Sequence, residues 1–329
     1  MSGARTRTSH PVAIATAGVV WLASATGDPA RGQTRDDTAR DNTARATVSD
    51  SITLGARGGI AAAAPDRATS TQDPAGGSLE FSARAGFASD YIYRGVTLSD
   101  RRPAVGAGLE ATLGAFYAGT TVTSVKLPTQ PAAEITFGGG VRPKLWGIDF
   151  DLGWTYFLYP GEAPPAAGAP DGIEYWEALL RADYKIRETL RVAGGFAYSP
   201  NVSNTGAWSK YAAFGVGIDV PRSALPQTIT ASLTGGVGYS WFGDQSAALG
   251  GFPLPSYLNW NAGVTFTHKV FNLDLRYYDT NLSGENCFVF TGDPHATPGG
   301  QVNPVTNPEG LTSRWCSATL VAKFWFALN

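Results

Sequence analysis

The chain has 329 residues, a formal net charge of -2, 40 glycines and 12% aromatic residues, with only 16% charged residues. That balance lacks the basic footprint of a nucleic-acid binder and departs from an ordinary helical or α/β enzyme towards a glycine-rich β chain. The cysteines, Cys287 and Cys316, stand outside any CxxC or histidine-spaced pattern, which argues against a structural zinc site.

The amino end has the form of an export signal over residues 1–25. Arg5 and Arg7 precede an apolar run from Val12 to Ala23, and Ala23-Ser24-Ala25 offers a small-residue cleavage site. Residues 26–78 are rich in Arg, Asp, Thr and Ala without a sustained apolar period, and are expected to form a disordered periplasmic linker. No other stretch approaches the roughly 18 consecutive apolar residues of a spanning helix, so a membrane position requires a β-barrel.

From residue 79 to residue 329 the pattern changes to alternation with a period of two. Leu79, Phe81, Ala83, Ala85 and Phe87 oppose Glu80, Ser82, Arg84 and Gly86. Carried forward, the same parity puts Tyr91 and Tyr93 on the apolar face as interfacial rings, puts Asp90 and Arg94 on the polar face, and leaves Gly95 to turn the chain. Asp90 and Arg94 stand about 13 Å apart along an extended strand, too far to pair with each other, so cross-strand partners are expected.

About twelve such segments follow one another. The second sets Val105, Leu109 and Leu113 against Glu110, the third starts at Phe116, and the fourth sets Ile135, Phe137 and Val141 against Glu134 and Arg142. The fifth sets Ile148, Phe150, Leu152, Trp154 and Tyr156 against Asp149 and Asp151. The sixth, 173–184, also fits a helix, because Glu177 and Arg181 would then form an i,i+4 pair. Segments seven to twelve continue through Arg191, Asp219, Ser232, Asn261, Asp274, Arg276 and Lys323 on the polar stripe. The predicted fold is an all-β, antiparallel up-and-down transmembrane barrel of about twelve strands.

Alternation does not by itself say which face meets lipid, since soluble barrels alternate too. The connections do. Those after even segments are short, as at Gly114-Ala115, whereas those after odd segments are long, above all 281–312. Short turns on one rim and long loops on the other characterise bacterial outer-membrane barrels.

Several motifs carry a resemblance. Ser89-Asp90-Tyr91-x-Tyr93-Arg94-Gly95-Val96, Arg102-Pro103-Ala104-Val105, Phe116-Tyr117-Ala118-Gly119, Leu158-Tyr159-Pro160-Gly161 and Tyr175-Trp176-Glu177 resemble the TorF-type porin family of Gram-negative bacteria. The resemblance covers about residues 79–329 and implies an exported outer-membrane barrel with porin function. The chain departs from the family in its long linker and in ending on Phe324-Trp325-Phe326-Ala327-Leu328-Asn329 rather than on an aromatic residue.

The polar stripe supplies the candidate lumen. Glu80, Glu110, Glu134, Asp149, Asp151, Glu177, Asp183, Asp219 and Asp274 face Arg84, Arg142, Arg181, Arg191, Arg276 and Lys323. Opposed charges of this kind either seal a barrel or polarise a constriction. An enzyme is not expected: neither Gly-x-Ser-x-Gly nor His-Glu-x-x-His occurs, and His268 and His295 read as exposed polar residues. Cys287 and Cys316 flank the longest loop and enter neighbouring antiparallel strands, so an oxidising location favours a bond between them. The sequence reading is thus a passive channel for small hydrophilic solutes, with no cofactor or metal and with outer-membrane lipid around it. A sealed structural or adhesin-like barrel and an outer-membrane hydrolase are the alternatives.

Overall fold

The computed structural model describes residues 78–163 and 172–328. The expected signal 1–25 and nearly all of the linker 26–78 lie outside the described residues. The rest is one closed antiparallel barrel. Its strands are β1 (Leu79–Ala88), β2 (Ala104–Leu113), β3 (Phe116–Thr123), β4 (Glu134–Val141), β5 (Ile148–Leu158) and β6 (Tyr175–Arg187). They continue as β7 (Leu190–Ser199), β8 (Ser209–Asp219), β9 (Thr230–Phe242), β10 (Tyr257–His268), β11 (Phe271–Thr280) and β12 (Thr319–Leu328). Each strand pairs with its neighbours in sequence, and β12 closes the ring on β1 with Ala83 opposite Leu328 and Ala88 opposite Lys323.

The two stripes end up on opposite sides of the wall. Phe81, Leu109, Phe116, Leu152, Phe214, Leu233, Leu275 and Leu320 are exposed outside, whereas Arg84, Asp151, Glu177, Arg181, Ser232, Thr265, Asp274 and Arg276 are buried inside. A barrel with an oily skin and a polar filling is the inverse of a soluble one. Aromatic rings collect at both ends of the skin: Trp176, Tyr198, Trp208 and Trp241 near the long-loop rim, and Trp146, Tyr184 and Phe271 near the short-turn rim. Such girdles match the polar–apolar boundaries of a bilayer. Lys210 also points outward, but it sits beside Trp208 at the rim with its ammonium 4.8 Å from the ring centroid.

The segment 173–184, for which a helix was the alternative, is strand β6 from residue 175 onward. A spacing of four residues keeps Glu177 and Arg181 on one face in a strand as well as in a helix, so that pair could not discriminate. The long last connection holds a helix, α1 (Gly284–Thr291), that the sequence reading did not anticipate. Ser283 caps it, its Oγ accepting the Asn286 N–H, and Gly292 ends it in the left-handed conformation. Among the described residues no helix is long and apolar enough to cross a membrane.

Candidate functional site: a hairpin across the mouth

The connection between β1 and β2 decides the shape of the lumen. After Ala88 the chain leaves the wall and forms a small hairpin in which Ile92 pairs with Thr97 and Tyr93 with Val96. The two residues between them, Arg94 and Gly95, have φ of 49° and 84°. Positive φ at both central positions is what a type I′ turn requires, and its twist matches that of a tight hairpin. Glycine takes this conformation freely, while an arginine there is uncommon. The turn thus spends backbone strain to place one guanidinium at the hairpin tip.

That tip crosses the barrel. Arg94 Nη1 and Nη2 donate to Glu177 Oε1 and Oε2 at 2.9 and 2.7 Å, and the guanidinium lies 4.3 Å from the ring centroid of Tyr211. Glu177 belongs to β6 and Tyr211 to β8, the strands on either side of β7, which stands opposite β1 in the closed ring. Gly95 is pressed against the wall too, since a Cβ there would meet Thr280 Cγ2 at 2.5 Å and Asn259 Cβ at 2.9 Å.

The base of the hairpin is held as tightly. Tyr91 Oη donates to Glu134 Oε1 at 2.7 Å, and Tyr159 Oη donates to Glu134 Oε2 at 2.9 Å. Tyr93 Oη donates to Glu177 at 3.2 Å, and Tyr93 packs edge-on against Phe157, which stacks on Tyr175. Asp90 Oδ1 accepts from the hydroxyls of Thr97 and Ser99, while Tyr91 N–H donates to Ser99 Oγ. From above, the last connection clamps the hairpin: Thr97 N–H donates to the Trp315 carbonyl at 3.0 Å, and Val96 packs with Tyr257, Trp315 and the disulfide-bonded pair Cys287 and Cys316.

These contacts correct one expectation. Tyr91 and Tyr93 do not point towards lipid; Tyr91 is 3% exposed and serves the carboxylate of Glu134 inside the mouth. Parity fails because the ladder ends at Ala88 and the hairpin turns across the barrel axis, so alternation beyond that residue refers to a different sheet. Asp90 and Arg94 each bond to other residues, not to one another.

Burial sets the electrostatics of the hairpin. It raises the Asp90 carboxyl above its usual range, against the lowering effect of the Thr97 and Ser99 hydroxyls and Arg101. It also pushes the Tyr91 phenol far up, with Glu134 adding to the effect. For Arg94, burial works to lower the guanidinium pKa, but Glu177 and the tyrosines raise it by more, so the guanidinium stays charged.

Below the mouth the lumen charges are matched. Arg142 reaches both oxygens of Glu110 at 2.6 and 2.7 Å and Asp151 at 3.5 Å, with its guanidinium over the Tyr117 ring. Arg181 pairs with Asp183 at 2.7 Å and Arg191 with Asp219 at 2.9 Å. Arg276 binds Asp274, Asn261 and Thr234. Arg84 is also buried on the inner face. Glu80 is exposed near the short-turn end of β1, and Asp149, paired with Lys144 at 3.3 Å, is exposed at the same rim, so neither narrows the lumen.

Taken together, an oily outer belt, a polar interior and long loops on one rim define a barrel of the bacterial outer-membrane type. Over residues 71–297 the sequence matches the family described as "Bacterial protein of unknown function (Gcw_chp)", and the chain belongs to that family. No curated protein matches it. Among solved structures it is similar to a KdgM porin, with 6% identity over 76% of this chain and 100% of that one and a TM-score of 0.39. It is also similar to OmpT, an outer membrane protein of Vibrio cholerae, with 8% identity over 77% and 100% of the two chains and a TM-score of 0.34. A third, LpxR from Salmonella typhimurium, has 10% identity over 74% and 99% and a TM-score of 0.35.

Proposed function

We propose that the protein is a TorF-type porin of the bacterial outer membrane, through which small hydrophilic solutes diffuse down their own gradients, and that the Arg94 hairpin is its constriction. The observation that carries this reading is the Arg94–Glu177 bridge. It sets a pair of opposed charges across the mouth, the kind of arrangement that narrows and polarises a pore. The long-loop rim then faces outward and both chain ends face the periplasm. Protease treatment of intact cells should cut within 292–308; cuts confined to the turns at 142–147 or 220–229 would reverse the orientation.

A second reading is a sealed structural barrel, favoured by the near-complete burial of Arg94 and Glu177. Planar-bilayer recordings separate the two. Under the channel reading the refolded barrel passes small ions or sugars, and Arg94→Ala raises the conductance. A folded barrel that passes nothing, with or without residues 90–99, is sealed. Lipid hydrolysis by the purified barrel, lost on His268→Ala, would instead favour an enzyme.

A further inference from the structure

Outside the mouth, three side chains from two distant segments meet. Asp100 belongs to the β1–β2 connection, while Asp293 and His295 follow α1 in the last connection. Their ligand atoms all lie within 4.8 Å of one another, and His295 Nδ1 is 3.5 Å from Asp100 Oδ2. Two ligands about 2.1 Å from a tetrahedral ion sit roughly 3.4 Å apart, so this separation already suits a shared cation.

A separate observation concerns charge. Asp293 is only 5% exposed, yet among the described residues no Lys or Arg forms an ion pair with it. Its oxygens accept from the His295 N–H at 2.8 Å and from Ser313 Oγ at 2.6 Å. These neutral donors orient the carboxylate without neutralising it. A cation placed beside a carboxylate buried this deeply would offset the cost of taking its charge out of water. Asp100 is oriented in the same manner, its Oδ1 accepting from Trp315 Nε1 at 3.0 Å. Fixing ligating carboxylates through a second layer of hydrogen bonds is how proteins build metal sites. Arg102 also touches Asp100 Oδ2, at 3.2 Å, but its side chain is 60% exposed and can swing into solvent.

We propose that Asp100, Asp293 and His295 bind a divalent first-row metal ion of the zinc class. One imidazole nitrogen and two carboxylate oxygens form the donor set, with water completing a tetrahedron. An oxygen-only ion such as calcium would make no use of the imidazole. Because the ligands come from both connections, the ion clasps the hairpin segment to the disulfide-bonded outer loop. The sequence conceals the site, since its first ligand lies far from the other two.

The test is titration of the refolded full-length barrel with Zn2+, and separately with Ca2+, by calorimetry in detergent. Trp315 fluorescence provides a second readout, because its indole holds Asp100. One equivalent of Zn2+ should bind, and His295→Ala and Asp293→Asn should each weaken binding at least about tenfold. His295 is exposed, so its variant keeps the fold even if Asp293→Asn disturbs the loop; heat-modifiable migration on gels checks both. Zn2+ binding that is absent, or that is unchanged in both variants, overturns the proposal. So does Ca2+ binding as tight as Zn2+ and indifferent to His295→Ala. None of these results depends on whether the barrel conducts.

Discussion

Arg94 and Glu177, 83 residues apart in sequence, meet across the mouth of the barrel through two parallel hydrogen bonds of 2.9 and 2.7 Å, with 5% and 0% of their surfaces exposed. Removing one partner of such a pair strands the other as a buried charge, which costs about 3–5 kcal/mol. Arg94→Met and Glu177→Leu should therefore each lower the urea midpoint of the refolded barrel. The double variant should regain most of the loss, because it leaves no charge unpaired. A loss in the double variant equal to the sum of the two single losses would show that the pair adds nothing beyond its separate side chains.

The hairpin turn has no spare room. Gly95→Val places a branched side chain at a φ of 84° and against Thr280 and Asn259. Overpacking and strain together should cost roughly 2–4 kcal/mol. The chain would be expected to avoid that cost by unseating the hairpin, visible as faster tryptic cleavage at Arg94 or Arg101. Unchanged cleavage would mean that the turn tolerates a Cβ.

The Cys287–Cys316 bond spans 29 residues and sits against Val96 of the hairpin. Loss of the crosslink should cost roughly 3–4 kcal/mol in the chain-entropy model. Maleimide labelling of the unreduced protein should find no free thiol, and reduction should expose Arg314 to trypsin before any strand is cut. Two thiols labelled without reductant would contradict the bond.

Asp90 provides a pH signature. Its carboxyl is raised above the ordinary 3.8 by burial. An acid held this way binds its proton more tightly in the folded state, so its favourable contribution is present below about 3.8 and is lost as pH rises through the higher folded value. Asp90→Asn keeps an oxygen for the Thr97 and Ser99 hydroxyls but has no charge to desolvate. The urea midpoint of the variant should gain on wild type from about pH 4 upward. A constant difference between pH 4 and 7 would rule this out.

How much of this was legible beforehand follows from the range of each interaction. Every strand announces itself locally: Leu273, Leu275 and Tyr277 against Asp274 and Arg276 in β11 is a pattern that only a wall between unlike media requires. The inward placement of Glu134, Asp151 and Glu177 followed from the same parity. Their partners did not, because Arg94 with Glu177 and Tyr91 with Glu134 are contacts across a ring, set by closure and stagger rather than by spacing. The Arg94-Gly95 dipeptide did signal a turn. Nothing in it said that the turn would point inward, and that omission sent Tyr91 and Tyr93 to the wrong side. Helix α1 escaped notice because it is short and sits in a loop rich in Pro, Gly and Asn, with only Ser283 to mark its start.

The closure of the ring has one further consequence. Among the described residues β1 is matched to β2 over ten residue pairs and to β12 over six, from Ala83 to Ala88. The seam also joins residues more than two hundred positions apart, so it should zip last, after the strands joined by shorter connections have paired. By the same token it should be where the wall first parts. Heat or lateral tension should open the cylinder between Phe87 and Phe324, turning it briefly into a curled sheet with two raw edges, a form open to a strand from another protein.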